Sequence, residues 1–352
     1  MNPKVSVVIP HKNRFDLLKI TLDSILYQTL ENWEAIIIDD YSHKDCLEKI
    51  KTFLLTDERI ILITKNNEAK GAPISRNIGL KKAKAKYVLF LDSDDILAPY
   101  ALFQRLNAFE NAEKSIQAVV SPTILFKKIP GDLLEVWNAL DKNQNVITRF
   151  TKLDTPWHTM GTLWEKKFLV KINGWDESLA SFQDWELHLR ALINGMEFQE
   201  LEHYDNFYRI DSDSQSIASR FYKEQVVNGR FKAFTKIMKL IKSTENKIWI
   251  NNVNSLIITN LTLLIDNNKI DIVSKLLKSY KDLNLRFIDY CILQMMKKDA
   301  NSWRYRRITM VLIQTFWKKL DYDPWIHSGK SQKTINSNEK ALAYNYEKLL
   351  LN

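Results

Sequence analysis

Four short runs in the first 95 residues are apolar almost from end to end: Val5 to Pro10, Trp33 to Ile38, Ile60 to Ile63 and Tyr87 to Leu91. A strand with one wet face alternates polar and apolar residues. These do not, so both of their faces must be covered. Between them, Phe15 to Tyr27 has apolar residues at 15, 17, 18, 22, 25 and 26, which is helical spacing. A second helix is expected through Leu47, Ile50 and Leu54, and Pro73 can open a third that runs to Ala83. Such alternation predicts an α/β architecture, a mostly parallel sheet flanked by helices.

The pattern changes further along. Short strands are expected at Ala118 to Ser121, Thr162 to Trp164, Glu197 to Leu201 and Phe207 to Ile210. A helix is expected from Asp184 to Asn194, stopped by Gly195. From residue 221 the chain reads as helical and rich in Lys, Ile, Leu and Asn. Charge divides at the same place. Residues 1–220 hold 28 Lys and Arg against 31 Asp and Glu, whereas residues 221–352 hold 23 against 11. Two parts are therefore expected: 1–220, of mixed charge, and 221–352, a basic and mainly helical C-terminal region. Two cysteines 245 positions apart give neither a disulfide framework nor a metal spacing, so a reducing, cytoplasmic setting is the expectation. No targeting or membrane-spanning segment is evident in the sequence.

Ligands in open α/β sheets bind outside the carboxyl ends of the strands. Two acidic clusters fall at such ends: Asp39-Asp40 after the second run, and Asp92-Ser93-Asp94-Asp95 after the fourth. Carboxylates at i and i+2 can converge on a hard cation, whose coordination a nucleoside diphosphate can complete. Neither G-x-G-x-x-G after the first strand nor G-x-x-x-x-G-K-[ST] anywhere is present, which disfavours a glycine cradle for phosphate and leaves metal-mediated diphosphate binding.

Several ordered fragments together resemble family 2 glycosyltransferases of the GT-A fold, over roughly residues 3 to 220. They are Val5 to Pro10 with Asn13-Arg14; Ser24-Ile25-Leu26 with Gln28-Thr29; Ile36 to Ser42; and Gly71 with Ser75 to Gly79. Phe90 to Asp95, Gly174 to Leu179 and Gln183 to Leu187 complete the set. The resemblance implies that Asp40 hydrogen-bonds the nucleotide base, with Pro10 and Asn13 beside it, and that Arg76 and Asn77 line the donor site. It also implies that Asp92 and Asp94 form the D-x-D motif, with Asp94 the direct ligand of Mn²⁺ or Mg²⁺. Asp184 matches the general base of the family's Glu-Asp pair.

Two departures stand out. Gln183 replaces a frequent Glu, and Tyr208-Arg209-Ile210 is followed by Asp211 where many members have a metal-binding His in a Tyr-Arg-x-His stretch, so Asp211 is the third candidate ligand. The processive Q-x-x-R-W signature is absent, which implies transfer of single sugars.

The expectation is an inverting, metal-dependent transferase that moves a sugar from a nucleotide-sugar donor, UDP-linked, to a glycan or lipid-linked acceptor. No nucleic-acid partner is expected. The alternatives are a nucleotidyltransferase using the same acidic site, or a silent binding protein; intact Asp40, Asp94 and Asp184 argue against the latter. Trp157 and His158, after Pro156, are expected to pack under a loop rather than stack on an acceptor sugar. Trp303 to Lys319, with cations and aromatics at both ends of a greasy stretch, are expected either to meet an anionic membrane peripherally or to pack on the catalytic part.

Overall fold

A computed structural model describes residues 2–66, 70–133, 135–138, 143–210 and 221–278, with Leu283, Tyr290, Cys291, Leu293, Gln294 and Lys297 beyond them. The N-terminal alternation folds as β1 (Val5–His11), α1 (Phe15–Leu26), β2 (Trp33–Asp39), α2 (Lys44–Leu54), β3 (Ile60–Thr64), α3 (Ala72–Lys82) and β4 (Tyr87–Phe90). Then come β5 (Ile96–Leu97), α4 (Ala101–Glu110), β6 (Ala118–Val120), β7 (Thr123–Phe126), α5 (Val146–Thr151), β8 (Thr162–Glu165) and α6 (Lys166–Lys171). The described elements end with α7 (Gln183–Ile193), β9 (Phe198–Glu200), β10 (Asn206–Arg209), α8 (Glu224–Lys242), α9 (Lys247–Asp266) and α10 (Ile270–Lys278).

The main sheet has the order β3-β2-β1-β4-β8-β6-β9. Its first four strands are parallel, and β8 runs against both β4 and β6. Order reverses at β1, which lies between β2 and β4, so a crevice opens where their carboxyl ends diverge. Pro10 suits its place: β4 pairs β1 only at Val5 to Val8, and Pro10 lies beyond that ladder.

Both faces of the sheet are buried, as fully apolar strands require. Val7, Ile9, Ile37 and Leu89 pack with Leu18, Leu22 and Ile25 of α1 and Ile50 of α2. Val8, Ile36, Ile38 and Phe90 pack on the other side with Leu80 of α3 and with Trp185 and Leu189 of α7. Helix α3 lies almost flush on β1: a Cβ at Gly79 would sit 2.2 Å from a Val8 methyl. Phe231, Phe234 and Ile237 of α8 join this same core, so the described part of the C-terminal region is continuous with the sheet.

One helix among the described residues, α9, is long and apolar enough to cross a membrane. Its Val253, Leu256, Ile257, Leu261 and Leu264 are instead buried in the protein core. The basic segment Trp303 to Lys319 lies outside the described residues.

A small second sheet, β5-β10-β7, was not anticipated. Its β10 pairs parallel to β7 and antiparallel to β5, which brings residues 206–209 beside the Asp92–Asp95 turn. Arg105 of α4 and Asp205 fix the start of β10. Both are fully buried and paired at 2.5 Å, and Ser121 donates to the same carboxylate at 2.6 Å.

Candidate active site

Asp40, just past β2, is held at both oxygens. The Lys65 ammonium, wholly buried, donates to Oδ1 at 2.8 Å, and the Gly71 amide ahead of α3 donates to Oδ2 at 3.0 Å. Asn13 adopts the left-handed region with φ 55°. Its amide N–H donates to Ser42 Oγ at 2.8 Å, and its side-chain oxygen accepts from the His43 amide at 2.7 Å. Asn13 thus laces the loop after β1 to the loop after β2. A cavity of about 360 Å³ opens beside it, lined by Asn13, Arg14, Phe15, Asp94 and Arg209 among others.

The cluster after β4 is more crowded. Arg76 of α3 donates to Asp92 Oδ1 at 2.5 Å, and its guanidinium lies 4.4 Å over the Trp175 ring. Arg76 Nε and Nη1 are buried without a hydrogen-bond partner among the described residues. Burial pushes the Asp92 carboxyl up, but Arg76 and His158 outweigh it and hold it below the ordinary value. Asp94 accepts from Arg14 at 2.8 Å. Burial and the charge of Asp92 nevertheless raise it. Asp95 is raised well above the ordinary range by burial, Asp92 and Asp94. Arg209 of β10 binds this turn through its backbone N–H to Asp95 Oδ1 and its Nε to the Asp94 carbonyl, both at 2.9 Å.

Asn77 has a different task. Its amide group accepts from Trp175 N at 2.9 Å and donates to Trp175 O and Glu177 Oε1, each at 2.8 Å. Gly174 precedes this knot at φ +58°, and a Cβ there would meet Asn77 Oδ1 at 2.6 Å. Asn77 therefore holds the loop on which the Arg76 guanidinium rests.

Asp184 occupies the first turn of α7, after Phe182 at φ 58°. Its Oδ1 accepts the Trp185 N–H at 2.8 Å. His188 Nδ1 donates to the Asp184 carbonyl at 2.9 Å, since a carbonyl can only accept, and burial lowers its pKa to about 4. Glu186 is spent elsewhere: it is buried and bridged by Arg190 at 2.7 and 3.0 Å.

Sequence reasoning missed His158, Lys65 and Arg209. Trp157 is buried core, as expected, and His158 beside it is half-buried. His158 lies 4.3 Å from the Tyr208 ring, Tyr208 precedes the Arg209 that holds Asp94 and Asp95, and Trp157 lies 5.9 Å from His188 on the Asp184 carbonyl. Those contacts link the β4 cluster to the start of α7. The only signals in the sequence were the aromatic run Pro156-Trp157-His158 and Tyr208-Arg209 at a strand end. Asp211 lies outside the described residues.

Among the described residues, no three His, Cys, Asp or Glu side chains are gathered closely enough to hold a metal ion by themselves. Asp92 and Asp94 still suit Mn²⁺ or Mg²⁺: they are hard oxygen donors, and a dication would relieve the repulsion that raises Asp94.

The sequence pattern described as glycosyl transferase family 2 matches residues 6–168. An uncharacterized glycosyltransferase of Methanocaldococcus jannaschii is 30% identical over 226 residues, 64% of this chain and 76% of that protein. The chain belongs to glycosyl transferase family 2. A member named UDP-Glc:alpha-D-GlcNAc-diphosphoundecaprenol beta-1,3-glucosyltransferase, from Escherichia coli, is 47% identical over 91 residues. That match covers 26% of this chain and 35% of the E. coli enzyme. In fold, the chain is similar to S. aureus TarS 1-349, crystallised in complex with UDP-GlcNAc. The TM-score is 0.57 at 14% identity, over 84% of this chain and 92% of that one. The family 2 match stops short of α7, so Asp184 rests on its own geometry.

Proposed function

We propose that this family 2 member transfers a single sugar, with inversion, from a UDP-linked donor to a hydroxyl of a glycan or lipid-linked acceptor. The observation that carries the reading is a chain of contacts: Arg209 holds the Asp94–Asp95 turn, the preceding Tyr208 ring lies 4.3 Å from His158, and the neighbouring Trp157 lies 5.9 Å from His188, which sits on the Asp184 carbonyl. It brings a carboxylate suited to a proton and a carboxylate suited to a donor's phosphate end to the same crevice. The UDP donor and the lipid-linked acceptor are supported by the E. coli relative's name. In this reading the chain works in the cytoplasm, beside the membrane that carries such an acceptor.

Asp40, fixed by Lys65 and Gly71, presents carboxylate oxygens to N–H groups of the base. Arg76, paired with Asp92 and resting on the Trp175 ring, keeps Asp92 in place and lends a positive charge to the diphosphate end of the site. Asp94 and Asp92 would hold the divalent cation, which offsets charge on the departing diphosphate when bound. Asp184 Oδ2 has no hydrogen-bond partner among the described residues and accepts the proton of the acceptor hydroxyl. That hydroxyl attacks the anomeric carbon from the face opposite the diphosphate; the C–O bond to the diphosphate breaks, and UDP leaves. A sugar hydroxyl is a weak nucleophile, and a positioned base is worth roughly 10²–10⁴-fold.

The test is an acceptor-free screen of UDP-glucose, UDP-galactose and UDP-GlcNAc for UDP release. Release that stops with chelator and returns with Mn²⁺ is expected. Pyrophosphate released from UTP and a sugar 1-phosphate, with no UDP from any sugar donor, would assign the site to nucleotidyl transfer instead.

A further inference from the structure

Three half-buried rings stand beside the carboxylates and take no part in the steps above. His158 lies 4.3 Å from the Tyr208 ring and 5.4 Å from Trp137, and Trp137 lies 5.6 Å from Tyr208. They arrive from three separate segments: the strip after β7, the turn ahead of β8, and β10. Trp137 is anchored by its backbone N–H on the Thr123 carbonyl at 2.8 Å and by its indole N–H on the Thr155 carbonyl at 3.2 Å. Its polar atom is thereby used, and its remaining exposed surface is carbon. Tyr208 is set by the β10 register, opposite Leu125 of β7. His158 makes no side-chain hydrogen bond among the described residues, and its Nδ1 is shut off from solvent.

A sugar joined to a diphosphate near Asp92, with its anomeric carbon in reach of a hydroxyl on Asp184, must lie between those two carboxylates. His158 stands between them: its ring is 4.3 Å from Tyr208, next to the Arg209 that holds the Asp94–Asp95 turn, and its neighbour Trp157 is 5.9 Å from His188, which sits on the Asp184 carbonyl. Rings at that point suit a pyranose, which offers a C–H face to aromatic carbon and a rim of hydroxyls to one polar atom.

We propose that Trp137, His158 and Tyr208 form the wall that receives the transferred sugar, with His158 hydrogen-bonding one of its hydroxyls and thereby selecting among UDP-sugars. The proposal rests on the functional reading above. It assigns sugar choice to residues outside the D-x-D motif and the base.

The experiment measures affinity for UDP and for the donor the wild type turns over best among UDP-glucose, UDP-galactose and UDP-GlcNAc. The proteins are wild type, His158→Phe and His158→Gln, with melting temperatures as a folding control. His158→Phe keeps the ring and removes the hydrogen bond. Its affinity for the UDP-sugar should fall about tenfold, the worth of one hydrogen bond, while UDP affinity stays within about twofold. His158→Gln should restore part of that loss and change the relative turnover of the three donors.

Equal loss for UDP and UDP-sugar would make His158 a packing residue and overturn the proposal. Unchanged donor affinity with a raised KM for acceptor would move the wall to the acceptor and overturn it too. If His158→Phe does not fold, an unaltered donor ranking in folded His158→Gln has the same force. A wild type that neither binds UDP nor turns over any of the three donors overturns the functional reading itself.

Discussion

The two acidic turns obey one local rule and reach opposite states. After β2, the Asp40 carboxylate is matched by a buried ammonium and a backbone N–H, and Asp39 Oδ2 accepts from the Ser42 amide at 3.0 Å. After β4, three carboxylates share one turn; Arg14, Arg76 and Arg209 stand beside them, yet burial and their mutual charge still push Asp94 and Asp95 up. A satisfied carboxylate is an anchor. An under-compensated cluster in a crevice is where a cation and a reaction belong. Aspartates at strand ends therefore do not identify chemistry; what the rest of the fold brings against them does.

The largest expected effect lies on the carboxylate facing the second cluster. Asp184→Asn keeps the size and the bond to Trp185 N but removes basicity. Turnover should fall by roughly 10²–10⁴-fold with melting temperature and UDP affinity nearly intact. Steady-state kinetics beside a UDP titration check this, and wild-type turnover would make Asp184 a helix cap only. Glu186→Gln should cost far less activity, because Glu186 is committed to Arg190.

Next comes Asp94→Asn, which sharpens the contrast between the turns. It should lower metal-supported turnover by more than the roughly 10–100-fold that loss of a mere supporting partner costs. Metal titration of activity in both proteins measures it. An unchanged Mn²⁺ dependence would remove Asp94 from the metal site.

Lys65→Met tests the anchor. It leaves Asp40 with one backbone donor, and removing one partner of a buried pair costs about 3 kcal/mol, the low end of the range because Asp40 keeps some solvent. Urea unfolding should show that loss. A variant as stable as wild type would mean that the pair contributes nothing net.

The smallest effects are in pH dependence, and the two turns should differ in sign. His11, beside Asp39, is buried and lowered to about 4 by burial, with Asp39 opposing and Arg14 reinforcing. Between about 6.5 and 4 the unfolded chain then holds more protons than the native one, so stability falls as pH drops through that window. His11→Gln should flatten the fall. Asp95 is raised, so the native state holds the extra proton above the unfolded value, and stability declines as pH rises toward its folded pKa. Asp95→Asn should remove that decline and gain more at pH 8 than at pH 5 in thermal melts.

Much of the fold was legible because β1 to β4 are buried on both faces and carry that burial as unbroken apolar runs. The small sheet was not. Ile96–Leu97 is too short to show a period, and Thr123–Phe126 depends on β10, 83 positions away along the ladder. Legibility in the site followed the same division. Asp40, Asp92, Asp94 and Asp184 sit at element ends that sequence spacing reveals. Lys65, Arg209 and His158 matter through contacts across the fold: Arg209 meets Asp95 over 114 positions. Asn77 reads in sequence as a donor-site residue, yet its side chain is taken up by the Trp175 loop.

The stereochemistry of turnover tests the central claim most directly. Whichever of the α-linked donors UDP-glucose, UDP-galactose or UDP-GlcNAc is hydrolysed can be followed by proton NMR before the free sugar mutarotates. A single displacement assisted by Asp184 predicts the β-anomer as the first-formed sugar, and almost no signal from Asp184→Asn. An α-anomer formed first, or equal rates for the two proteins, would contradict it.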